Sequence, residues 1–422
     1  MDDASRLNET LLRHAPAAAR CLSPLAKRAA FPRGIPFQSD QARATTYNAT
    51  IGQVTDGYGR PLPLSAMSDA APGLDAKISF LYSNPEGVAP VRELWRARQR
   101  RLGGSSVPTT LPLVVHGLTQ GVSVVADSFA DPDTDVLIPD PCWENYHLEF
   151  AFRPGARLVS YPFFADGRFN VTGLADALEA TAKTGRKAVI VVNFPANPAG
   201  YTPTIDEARQ LVDVIVAHRG PAVVLVDDAY QGMTWESGLA PRSLFWDIAE
   251  RADADRLFPI KNDGATKELF FFGGRIAFLH AAVGQEAEAA LHSKWKCLVR
   301  SQNGVSNGPA QALILAALRD PGLDGEIADR LAILRGRYLL LREALAGVRS
   351  PRVRPFPFNS GCFAMIGLDP SLDAESVRMR LIEEQSVGTI ALPTVNALRV
   401  AYCSLSDEAI PEIVQRIERA VG

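Results

Sequence analysis

From about residue 110 the chain alternates two kinds of pattern. Short apolar runs rich in β-branched residues, each closed by Gly, Pro, Asn or Asp, occur at LPLVVHG (111–117), DVLIPD (135–140), RLVSYPF (157–163), KAVIVVNF (187–194), AVVLVDDAY (222–230) and RIAFLHAA (275–282). Runs of this length and composition predict buried strands. Between them, VTGLADALEATAKT and TIDEARQLVDVIVAH carry apolar residues at helical spacing. Strand–helix alternation predicts an α/β fold with a mostly parallel sheet covered on both faces. In such sheets ligands bind beyond the carboxyl ends of the strands, so the residues that follow each apolar run are the ones to inspect.

Beyond about residue 310 the pattern turns helical, in QALILAALRD and EIADRLAILRGRYLLLREAL. Strand-like PFNSGCFAMIGL and ALRVAYCSL follow, then a last helix, IPEIVQRIERAV. This predicts a second, smaller α+β unit. Residues 1–67, rich in Pro and Gly, read as irregular.

Composition narrows the function classes. At 422 residues, two domains are expected. Net charge is -3 without a basic stripe, which argues against nucleic acid as a partner. The five cysteines are scattered and form no CxxC pair, so neither a disulfide framework nor a zinc cage is expected, and no metal. The start MDDASRLNET has no apolar core of a secretory signal, and no apolar run reaches the length of a membrane span. The expectation is a cytoplasmic protein with reduced thiols.

Several familiar motifs fail. Neither a GxGxxG after a strand nor a GxxxxGK[ST] loop occurs. The one GxSxG, GVSNG (304–308), follows the polar KWKCLVRSQN, and every histidine precedes Ser306, so a hydrolase elbow is rejected. Asp227 and Asp228 are adjacent on a predicted strand and face opposite ways, which argues against a shared metal.

Four strand ends carry polar residues. HGLTQGVSVVADSF (116–129) opens a helix on Gly117, Leu118 and Thr119, either an anion site or an ordinary start capped by Thr119. NFPANPAG (193–200) places Asn197 in a Pro-rich loop. VVLVDDAYQG (223–232) sets Asp227 at a buried strand end, where a carboxylate needs a partner, with Tyr230 three residues on. GATKELFFFGGR (264–275) holds Lys267 in apolar company, where a lysine either lowers its pKa and becomes a nucleophile or lies with its head in water.

Taken in order from about Tyr47 to Ser404, these pieces resemble the fold-type I pyridoxal-phosphate enzymes, specifically the aspartate-aminotransferase-like class I/II aminotransferases. The resemblance implies a large domain with a mostly parallel seven-stranded sheet sandwiched by helices, and a smaller α+β domain built from both chain ends. The corresponding boundaries are 1–67 for the N-terminal segment, 68–312 for the large cofactor domain and 313–422 for the small domain. The implied cofactor is pyridoxal 5'-phosphate, bonded covalently to Lys267, which precedes Arg275 by the family's eight residues; nearby Lys261 lacks that spacing. Arg275 would clamp the phosphate beside Gly117, Leu118 and Thr119. Trp143 of PDPCWENY would stack on the ring, Asn197 and Tyr230 would bond its phenolic oxygen, and Asp227 would pair with its nitrogen. Arg399 of LRVAYCS would grip the substrate carboxylate, Gly52 of IGQVTDGYGRPLPL would lie close to the substrate, and Tyr82 of FLYSNPEG would reach the phosphate of a neighbouring subunit in a homodimer.

There are departures. Gly264 stands where the family often has a phosphate-binding serine, so that contact is lost or moves to Thr266. NPTG reads NPAG. Gln302 stands four before Ser306 where dicarboxylate-specific members carry arginine, with Arg300 two residues further back. The implied reaction is ping-pong transamination between an L-amino acid and a 2-oxo acid, with the freed Lys267 amine as general base. The alternative is elimination or decarboxylation in the same site. A binding protein with a degenerate site is disfavoured, because Lys267, Asp227 and Arg275 are all present.

Overall fold

The computed structural model describes residues 2–422. Its large sheet has seven strands, labelled here in chain order: β1 (Leu113–Val115), β2 (Thr134–Asp140), β3 (Arg157–Pro162), β4 (Lys187–Val192), β5 (Ala222–Asp227), β6 (Leu257–Asp263) and β7 (Ala277–Ala281). Their spatial order is β1-β7-β6-β5-β4-β2-β3. Neighbours from β6 to β3 run parallel, and β7 is antiparallel to both β6 and β1.

Alternation along the strands sets the two faces. On β4, Val189 and Val191 join one buried cluster and Ala188, Ile190 and Val192 another. β5 repeats this with Val223 and Leu225 against Ala222, Val224 and Val226. Burying such an aliphatic side chain contributes about 1.5–3 kcal/mol, so a strand apolar on both sides is stable only in the middle of a covered sheet. Asp227 continues the face of Val223 and Leu225, and Asp228 turns to the other. These are called the site face and the reverse face below. Helix α1 (Ala89–Gly103) stacks Trp95 on Phe278 of β7, with centroids 4.2 Å apart. Helix α2 (Gly117–Phe129) follows β1 and packs on β7.

Every strand predicted from an apolar run is present. β6 was not predicted, because LFPIKND contains Pro259 and ends in three polar residues. It is nevertheless central, and Lys261, Asn262 and Asp263 are fully buried.

Helix α3 (Leu323–Ala346) leads to a four-stranded antiparallel sheet of β8 (Val353–Pro355), β9 (Phe363–Leu368), β10 (Ile390–Leu392) and β11 (Ala397–Ala401), ordered β8-β9-β11-β10. Tyr47 and Asn48 pair in parallel with Val387 and Gly388, which joins the N-terminal segment to this unit. The irregular reading of residues 1–67 needs correction. Four short helices, Asp3–His14, Pro16–Cys21, Pro24–Arg28 and Ile35–Gln41, occupy much of it. Pro16, Pro24 and Pro36 stand in first turns, where a missing N–H costs nothing, so residues read as breakers are helix starters.

Candidate active site

The carboxyl end of β5 delivers Asp227, 2% exposed, to the site face. The Tyr146 hydroxyl donates to its Oδ2 at 2.7 Å, and the Asn193 side-chain amide donates to its backbone carbonyl. Its Oδ1 is buried without a partner among the described residues. Burial pushes the Asp227 pKa up to about 6, assisted by Asp228 and opposed by Tyr146 and Lys267.

Lys267 lies in the short helix Ala265–Glu268 after Gly264, with its amine 5.1 Å from the centre of the Tyr230 ring. Atoms of the protein enclose it, and it keeps partial solvent access. Burial draws its pKa down to about 8; Asp227 works against that shift and Arg275 adds to it. The amine is therefore half neutral near pH 8, where an ordinary lysine is almost wholly protonated.

Arg275 has left-handed backbone, with φ 48°. It forms no ion pair among the described residues, and its guanidinium reaches only the Phe272 carbonyl, at 3.5 Å. Gly117, with φ 76°, makes room for it: a Cβ there would lie 2.5 Å from Nη2. The guanidinium thus meets the first turn of α2, whose N–H groups lack intrahelical acceptors. Two positive features facing each other without a carboxylate suit a multiply charged anion.

One cavity of about 80 Å³ collects Leu118, Thr119, Trp143, Asn197, Asp227, Tyr230, Thr266, Lys267 and Arg275, all predicted from sequence, together with Tyr146, Asn193 and Ala229, which were not. Tyr146 follows Trp143 by three residues and meets it edge-on at 5.4 Å, so helical spacing in CWENY was the available signal. Asn193 lay unassigned in the NFPANPAG run; its Oδ1 accepts from the Asn197 N–H. The Thr266 hydroxyl donates its proton to the Ile276 carbonyl at 3.0 Å, so it has none to offer a phosphate. Gly264 is built in rather than incidental, since a Cβ there would meet Ala277 Cβ at 2.8 Å.

Arg399 of β11, 2% exposed, adjoins the cavity through Asn197, to whose Oδ1 it donates at 3.2 Å. It also donates to the Thr50 carbonyl, packs 4.5 Å from the Phe363 ring centre, and has an unpaired Nε. Burial lowers its pKa to about 10. Gly52 sits against the same ring without room for a side chain, since a Cβ there would lie 2.3 Å from Phe363. Tyr82 is not brought in: it is 95% exposed, next to Phe80 and Leu81 at 83% and 66%. Gln302 is held by Gln120 and Asp127, and Arg300 is exposed on the surface. A larger cavity of about 420 Å³ lies on the reverse face, against Asp228, Gln231 and Glu268, and contains none of the predicted site residues.

The family described as Aminotransferase class I and II matches residues 48–417. Over 219 residues the chain is 31% identical to a probable N-succinyldiaminopimelate aminotransferase, DapC, of Mycobacterium tuberculosis. That match covers 51% of this chain and 53% of the relative, so the chain spans about half the length of that relative. It is 23% identical to the cytoplasmic aspartate aminotransferase of Saccharomyces cerevisiae, over 90% of this chain and 93% of the relative. In fold it is similar to an aminotransferase from Anaerococcus prevotii, with TM-score 0.83, 20% identity and coverage of 95% and 99% of the two chains. The kynurenine aminotransferase of Pyrococcus horikoshii gives TM-score 0.82 and 17% identity, covering 96% and 97%.

Proposed function

The chain belongs to the class I and II aminotransferase family, and from that premise we propose that it transfers an amino group between an L-amino acid and a 2-oxo acid with pyridoxal 5'-phosphate as cofactor. The observation that carries this reading is the set of unmatched partners in one cavity. Asp227 Oδ1 has no donor, Arg275 has no anion, and Lys267 has a lowered pKa. Those three features fit a molecule with a ring N–H, a phosphate and a carbonyl carbon.

In this reading Arg275 and the first turn of α2 would hold the phosphate, Trp143 would stack on the ring, Asn197 and Tyr230 would serve its phenolic oxygen, and Lys267 would bond it covalently. When bound, the cofactor supplies an electron sink for the bond broken at the substrate Cα. The chain's own groups do the rest. Arg399 binds the substrate carboxylate, with Asn197 orienting its guanidinium and Nε free for the incoming oxygen. Lys267, once released, would take up the proton leaving the substrate Cα and deliver it away from that carbon; an amine with a pKa near 8 can both accept a proton and give it back. Asp227, buried and held by Tyr146, keeps its negative charge aimed at one point of the cavity. The first oxo acid leaves before the second binds, a ping-pong order. The test is to mix the loaded protein with panels of amino acids and 2-oxo acids and identify products. A new amino acid with its partner oxo acid is expected; ammonia with an oxo acid alone overturns transamination.

The consecutive exposed Phe80, Leu81 and Tyr82 support a homodimer in which Tyr82 serves the neighbouring site. The pairing of residues 47–48 with 387–388 supports counting the N-terminal segment, 1–67, with the small domain. No helix among the described residues is long and apolar enough to cross a membrane, and the five cysteines are free. Free thiols suit the reducing cytoplasm.

A further inference from the structure

On the reverse face, each back-turned neighbour of a site residue joins one buried ionic cluster. Asp228, next to Asp227, pairs with Lys261 at 3.0 Å. Glu268, next to Lys267, accepts from Gln99 Nε2 at 3.1 Å, while Gln99 Oε1 accepts from Lys261 at 3.2 Å. A continuous chain therefore runs Asp228–Lys261–Gln99–Glu268. Asp263 also binds Lys261, and is fixed by the indole of Trp95 at 2.8 Å and by His280. Arg98 closes the cluster on Glu268.

The next residue of β6 does the corresponding work on the site face. Asn262 Nδ2 donates to the Leu118 carbonyl at 3.0 Å, in the first turn of α2. Its backbone carbonyl accepts from the Asp228 N–H at 2.9 Å. Gly121 makes room for it, since a Cβ there would lie 2.0 Å from Asn262 Oδ1.

We propose that β6 is the positioning strand of the site: Lys261 and Asn262 hold, from its two faces, the three segments that carry Asp227, Lys267 and the α2 turn. Stability alone does not account for such a cluster. Apolar residues of similar volume usually stabilise a core as well as a buried ion pair does or better. What the charges add is direction, because each hydrogen bond fixes one carboxylate and, one peptide away, the site residue attached to it. The inference rests on the cofactor reading given above.

Two variants of residues that do not line the site cavity test it. Gln99→Met keeps the packing and breaks the link from Lys261 to Glu268. The Ser243 hydroxyl donates to Asp228 Oδ2; Asp228→Asn keeps that acceptor and removes the charge facing Lys261. In the holoenzyme each is expected to lower kcat by about tenfold, the scale on which small misplacements of catalytic groups act, with KM little changed. Asp228→Asn is also expected to move the pH midpoint of the bound cofactor's absorbance downward, since a negative charge beside Asp227 is gone. Folded variants with wild-type kcat and midpoint overturn the inference. If Gln99→Met does not fold, Asp228→Asn decides by the same two readings. Wild-type protein that takes up no cofactor overturns the cofactor reading itself; uptake with unaffected variants overturns only the positioning role.

Discussion

Lys261 and Lys267 stand six residues apart, the first fully buried on the reverse face of β6 and the second in the short helix just beyond that strand, opening to the site cavity. Burial lowers the pKa of each, yet they end in opposite states. Lys261 touches two carboxylates, Asp228 and Asp263, and these raise its pKa above the ordinary value in spite of burial. Lys267 has Asp227 for attraction and Arg275 against it, and falls to about 8. The aspartates mirror this: Asp263 is held down to about 2, and Asp227 is pushed up to about 6. A buried lysine is thus made inert by a complete shell of acceptors and reactive by an incomplete one.

The comparison breaks most sharply on removal of the reactive amine. Lys267→Ala is expected to abolish covalent cofactor attachment and lower turnover by at least about 10³-fold, while Lys261→Met leaves attachment intact. Absorbance spectra and steady-state rates check this. Next in size, Lys261→Met is expected to cost about 3–5 kcal/mol of stability by leaving two buried carboxylates without their cation, measured by denaturant unfolding. Arg399→Ala is expected to weaken amino-acid binding by about 2–5 kcal/mol with little change in cofactor affinity, measured by titration of each ligand. Gly264→Ser, the family's usual residue, is expected to cost about 1–3 kcal/mol by pushing against Ala277.

The smallest expected effect sharpens the comparison through pH. In cofactor-free protein Lys267, lowered from 10.5 to about 8, binds its proton less tightly folded than unfolded, so its contribution makes stability rise between those pH values. Asp227, raised from 3.8 to about 6, binds its proton more tightly folded, so its contribution makes stability fall as pH rises from 3.8 to 6. Between pH 6 and 8 both groups are charged at a cost. Asp227→Asn is therefore expected to raise the stability of the cofactor-free protein at pH 7 by about 1 kcal/mol. Asp263, lowered from 3.8 to about 2, acts oppositely: its contribution is present above 3.8 and fades as pH falls toward 2.

The two regions also differ in how far the sequence reveals them. The site face was readable because its residues sit where apolar runs end, and because their order matches a family. β1 to β5 and β7 are apolar runs in their own right. β6 is not, since its polar residues are paired with Trp95, Gln99 and Leu118, more than a hundred positions away. Local pattern registers polarity but not the distant partner that satisfies it. Tyr146 and Asn193 escaped notice for a related reason: they act on Asp227 rather than on a ligand, and their roles exist only once three loops have met.

The most direct measurement is to load the protein with pyridoxal 5'-phosphate, reduce it with borohydride and map the labelled peptide. The account predicts a single pyridoxyl group on Lys267. Label on Lys261, or no label at either lysine, would contradict it.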